Sequence, residues 1–153
     1  MIEHCEIQQV YRSKPGVQLD SDGRIMSEKF TFSGRISSVK CAVRGIIIML
    51  RSQHNAWIHA VASCLVLFTG GLLRLSPGQW CFLVLAIMAV WTAEALNTAL
   101  ELLADVASPE FHPLVEKAKD VAAGAVLISA IGSFLIGLLI LGPGLFRLAV
   151  GLS

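Results

Sequence analysis

The feature that most constrains this chain is where its charges are missing. Three long runs carry no Asp, Glu, Lys or Arg: Asn55 to Leu73, Leu75 to Ala93 and Val121 to Phe146. A helix needs about 20 largely apolar residues to cross roughly 30 Å of hydrocarbon. Inside lipid the backbone must bond within its own segment, which a helix achieves and an open strand does not. The runs therefore predict an all-α membrane protein with three transmembrane helices. Hydrophobic residues make up 55% of the 153 and charged residues 15%, a balance that excludes an ordinary soluble domain. The length leaves room for one domain. A net charge of +1, with no basic cluster interleaved with aromatics, gives no footprint for nucleic acid. Cys5, Cys41, Cys64 and Cys81 have no CxxC spacing and read as reduced, small hydrophobic residues.

Along the chain, residues 1–32 are polar and broken by Pro15-Gly16 and Asp20-Ser-Asp-Gly23, as in a flexible extension without chemistry of its own. Ile36, Val39, Val43, Ile46, Ile47 and Leu50 then recur at three- and four-residue steps among Arg35, Lys40, Arg44 and Arg51, which predicts an amphipathic helix at the membrane surface. Residues 33–146 form the membrane domain and 147–153 a short tail. Arg74 to Gly78 is read as a turn, Ser108-Pro109 as the end of the second span's helix, and Gly142-Pro-Gly144 as the end of the third. Gly124, Ser129, Gly132, Ser133 and Gly137 offer small faces for close packing. His59 and the tryptophans Trp57, Trp80 and Trp91 read as interfacial or packing residues. The cations cluster before the first span and at Lys117 and Lys119, so the positive-inside rule puts the N-terminus and residues 94–120 in the cytoplasm and the C-terminus outside.

The second span runs into Glu94-Ala-Leu-Asn-Thr-Ala-Leu-Glu-Leu-Leu-Ala-Asp105. On a continuing helix Glu94, Asn97, Glu101 and Asp105 fall within roughly 80° of one another, one acidic stripe at the mouth of an apolar run. Such carboxylates cost several kcal/mol in hydrocarbon unless cations or water reach them. A divalent metal carried by a polyphosphate meets that need, because Mg²⁺ takes one or two carboxylates together with phosphate oxygens. Glu101 and Asp105 are candidates for metal and nucleotide, Lys119 for a cation against developing charge, and Glu94, nearest the lipid, for activating a hydroxyl. No GxxxxGK[ST] loop is present. A bundle whose acids bind or conduct cations is the alternative, although an ion path would spread its acids through the membrane.

The same residues resemble a family. Glu94-x-Leu-Asn97-Thr-Ala-Leu-Glu101-x-x-Ala-Asp105 matches the signature of the prokaryotic diacylglycerol and undecaprenol kinases except at Ala104, where Val is favoured. The resemblance continues through Ser108-Pro-Glu-Phe-His112-Pro-Leu and Lys117-Ala-Lys119-Asp120-Val-Ala-Ala-Gly-Ala-Val, and covers about Val39 to Leu141. It implies a small lipid kinase of the bacterial inner membrane that phosphorylates diacylglycerol or undecaprenol with ATP and Mg²⁺. It also implies a homotrimer of three-span subunits whose sites are completed between neighbours. Glu94 then matches the catalytic base and Glu101 a ligand of the nucleotide-bound metal. Asn97, Asp105, Glu110, Phe111, His112, Lys119 and Asp120 match residues of the ATP site. Two positions depart from the pattern: Gln53 stands where the family has a second metal-binding glutamate, and Cys41 where many members have a tyrosine near the adenine. The Asn55-to-His59 pattern and the 108–114 loop look more like the undecaprenol kinase branch.

Overall fold

In the computed structural model of the protein, residues 32–151 are described, and the expected extension before them lies outside that range. The described residues form four helices and no strand: α1 (Phe32–Ser52), α2 (His54–Leu72), α3 (Pro77–Ala107) and α4 (Pro113–Ala149). The last three are each long and apolar enough to cross a membrane. The chain divides into two units, Met1–Arg44 and Gly45–Ser153. The first contains the N-terminal part of α1, and the second contains the end of α1 together with α2, α3 and α4.

The helix ends follow local chemistry. Ser76 starts α3 with a capping box, its hydroxyl accepting from the Gln79 backbone N–H while the Gln79 side chain accepts from the Ser76 N–H. The turn anticipated over Arg74 to Gly78 is therefore shorter. Pro77 and Gly78 already belong to α3, because a proline in the first turn has no N–H to leave unpaired. Arg74, at φ 51°, takes the left-handed conformation that the tight connection requires. At the other end α3 stops at Ala107, and Ser108, held out of the helical region before Pro109, bonds back to the Ala104 carbonyl. Gly142-Pro-Gly144 does not end the third span. Pro143 lies inside α4, and residues 147–149 of the expected tail are still helical. Breaking the helix there would expose several backbone groups to an apolar surround, whereas continuing it costs one hydrogen bond.

Packing is strongest between α3 and α4. The core is small: Leu83, Ala86, Val90, Val126 and Leu141 are buried, while many leucines, isoleucines and phenylalanines of the spans lie on the outside, as suits a surface that meets lipid or other chains. Two polar contacts stitch the spans together. The Trp91 indole N–H donates to Ser63 Oγ at 3.1 Å, joining α3 to α2, and Ser133 Oγ donates to the Ala86 carbonyl at 2.9 Å, joining α4 to α3. Gly70 is the seat of the Trp80 ring, since a Cβ there would meet the ring at 3.0 Å; Gly144 likewise admits Leu73, at 2.9 Å. Gly124, Gly132 and Gly137 do not serve this purpose within the chain, for the space above each is open.

Candidate active site

α3 carries its polar residues in a graded series. Glu94, one turn past Val90 on the buried side, is only 1% exposed, and neither of its carboxylate oxygens has a hydrogen-bond partner. Its backbone carbonyl accepts from Thr98 Oγ1 at 2.9 Å. Asn97 is also buried; its amide donates to Glu101 Oε1 at 2.9 Å, and its own Oδ1 is unpartnered. Glu101, half-buried, receives a second amide at its other oxygen, from Gln53 in the break between α1 and α2. One turn further on, Asp105 is exposed and pairs with Lys119 of α4 at 2.5 Å. The stripe anticipated from the sequence thus exists as a gradient from a dry, orphaned carboxylate to a wet ion pair.

An isolated carboxylate taken out of water costs several kcal/mol even after relaxation, so two unbonded oxygens at Glu94 are the least self-sufficient feature of the molecule. A site of that kind waits for a donor, and a hydroxyl brought close to it meets a base with both oxygens free. Glu101 differs. Its charge is shared by two amides from separate elements, which fixes its position while leaving lone pairs for a cation. Among the described residues no group of three or more His, Cys, Asp or Glu side chains is arranged to hold a metal by itself. The donor set of Glu101, Gln53 and Asn97, with one carboxylate and amide oxygens, fits a metal that brings most of its ligands with it, such as one already on a polyphosphate.

The remaining anticipated residues sit outside this cluster. Glu110, Phe111, His112 and Asp120 are exposed, Phe111 by 77%. No side-chain hydrogen bond among the described residues links them to Glu94 or Glu101. His112 instead caps α4, its Nδ1 accepting from the Leu114 N–H at 3.3 Å, and the Glu110 carbonyl accepts from Ser108 Oγ at 2.9 Å. Cys41 is exposed as well. Gln53, singled out from the sequence as a departure, proves to be a direct partner of Glu101. His59, read as interfacial, lies half-buried on the same face of α2 as Ala56, Ala60 and Ser63, the last of which accepts from Trp91 of α3. Its signal was that row of small residues, which marks the packed face of α2.

The model of the prokaryotic diacylglycerol kinase family matches residues 40–141. The chain belongs to that family. Among curated proteins it is 44% identical over 104 residues to the undecaprenol kinase of Bacillus subtilis, covering 68% of this chain and 85% of that protein. It is 36% identical over 114 residues to the diacylglycerol kinase of Synechocystis, covering 74% of this chain and 65% of that protein. A shorter match, 40% over 53 residues, reaches the diacylglycerol kinase of Helicobacter pylori and covers 35% of this chain. The family match and the helical membrane fold agree with the resemblance seen in the sequence, and they favour a lipid kinase over a cation-conducting bundle.

Proposed function

We propose that this protein transfers the γ-phosphoryl group of ATP to the hydroxyl of a membrane lipid alcohol, with undecaprenol as the first substrate to test and diacylglycerol as the second. The observation that carries the reading is Glu94: a buried carboxylate with two unbonded oxygens, where a charge-free span gives way to polar residues. A lipid whose tail stays among the apolar helices presents its hydroxyl at that depth. Glu94 takes the hydroxyl proton as the oxygen attacks the γ-phosphorus, and the bond from phosphorus to the bridging oxygen breaks to release ADP.

Glu101, steadied by Gln53 and Asn97, holds the metal side of the nucleotide, and Lys119, presented by Asp105, lies against the phosphates. Mg²⁺, when bound, spreads the charge that develops on the transferring group. Asn97, Glu110, Phe111, His112 and Asp120 complete the nucleotide site in this reading, the loop residues from their exposed position by closing over ATP or by reaching a neighbouring subunit. The family resemblance favours a homotrimer, and the open space at Gly124, Gly132 and Gly137 is compatible with helices from other chains. The positive-inside rule favours a cytoplasmic face for residues 94–120, the side on which ATP is found. Residues 33–149 make up the kinase domain on this view.

Initial rates with purified protein, Mg²⁺, ATP and each lipid in mixed micelles test the assignment. Faster transfer to undecaprenol is expected, in keeping with the 44% identity to an undecaprenol kinase. Phosphorylation of neither lipid would overturn the reading.

A further inference from the structure

His59 has no part in the reaction as described, but its place is set by contacts on either side of it. Gln53 bonds Glu101; ten residues on, Ser63 receives the indole N–H of Trp91, ten residues back along α3. The two helices therefore keep one antiparallel register between these contacts. Seven residues back from Glu101 is Glu94, and seven on from Gln53 is Ala60, with His59 beside it. Ala56, His59, Ala60 and Ser63 follow the i, i+3, i+4, i+7 spacing of a single helix face. Ala56 is fully buried and the other three are half-buried, whereas Trp57, Ile58 and Val61 point away at 58% exposure or more. The imidazole thus belongs to the contact between α2 and α3, level with the orphaned carboxylate.

Three donors on α3 close in sequence to Glu94 already have acceptors other than its carboxylate. The Asn97 amide is given to Glu101, the Thr98 hydroxyl to the Glu94 backbone carbonyl, and the Trp91 N–H to Ser63. We propose that His59 is a positioning residue for Glu94: in the loaded enzyme an imidazole N–H donates to one carboxylate oxygen and so directs the other at the acceptor hydroxyl. An imidazole carries at least one N–H in either protonation state, so this role needs no change of charge. It matters because a carboxylate held by no bond rotates about its last torsion, and proton abstraction requires one oxygen within hydrogen-bond reach of the hydroxyl.

The inference rests on Glu94 as the base, and the two can be separated. With the full-length protein in lipid micelles, His59→Leu is expected to lower kcat by roughly tenfold or more while leaving the KM for ATP within about twofold, the signature of lost orientation at the reacting end. His59→Gln, which keeps an N–H donor, recovers most of that loss. A kcat for His59→Leu within about twofold of wild type, or no recovery in His59→Gln, overturns the proposal. A second measurement does not depend on how the His59 variants fold: in protein labelled with ¹⁵N-histidine and loaded with Mg²⁺, ATP analogue and lipid, the His59 imidazole resonance should move when Glu94 is changed to Gln. An unmoved resonance overturns it as well. An active Glu94→Gln removes the base assignment, whereas an inactive Glu94→Gln beside a fully active His59→Leu removes only the role of His59.

Discussion

The two ends of the polar series on α3 obey opposite rules. At Glu94 an acid is held in a dry contact between helices with nothing bonded to it; three turns on, Asp105 is 65% exposed and already has its cation in Lys119. The first arrangement is costly, and in the proposed reading the acceptor hydroxyl offsets that cost. The second costs little and contributes little by itself, since exposed pairs are worth about 0–1 kcal/mol. Glu101 stands between them in both burial and bonding. The difference teaches that acids of the same chemical type on one helix face need not share a role, and that the number of partners each has found within the chain separates them.

Substitutions along the series sharpen this contrast or break it. Glu94→Gln should have the largest effect: kcat falls by on the order of a thousandfold, as expected when a general base is removed. The variant should melt no lower than wild type, because a neutral amide is cheaper to bury than an unpartnered acid. Thermal unfolding in detergent and the turnover assay check the two halves together; a destabilised and inactive Glu94→Gln would make the residue structural. Glu101→Gln should come next, with kcat/KM for Mg·ATP lower by roughly a hundredfold and most of the loss seen as a requirement for more Mg²⁺, as expected of a group that helps hold charge on the nucleotide. A loss independent of Mg²⁺ concentration would contradict a metal role. Lys119→Ala should have the smallest effect, a rise in the KM for ATP of up to about tenfold, reduced further at high salt, and a stability change below about 1 kcal/mol. If Lys119→Ala proved as damaging to kcat as Glu94→Gln, the division between a dry and a wet end would fail.

Much of this architecture was legible in the sequence. Charge-free runs and the Ser108-Pro109 stop are local signals that a membrane interior enforces, so the three spans and the end of α3 were anticipated, although α4 starts earlier, at Pro113, and ends later, at Ala149. The stripe from Glu94 to Asp105 followed from helical spacing alone. Other features depend on what lies across a contact. Gly142-Pro-Gly144 resembles a terminator to any rule based on neighbours in sequence, but α4 runs through it and brings Gly144 onto Leu73. Gln53 is neutral and gave no hint by spacing of its bond to Glu101, forty-eight residues away; only the family resemblance set the two at one metal site. His59 looked like one more interfacial histidine because the small residues beside it, Ala56, Ala60 and Ser63, mark a packed face without saying which residue of α3 it meets.

The depth of Glu94 has a consequence for the work the enzyme must do on its substrate. Nineteen charge-free residues, Leu75 to Ala93, precede it, a rise of about 28 Å. If Glu94 is the base, as proposed, it meets the alcohol where it already floats, so the hydrocarbon chain need not be drawn into water at a toll of about 0.8 kcal/mol for each methylene. On the proposed reading tail hydration then adds nothing to the barrier, and a preference for undecaprenol over diacylglycerol arises from contacts with the helices.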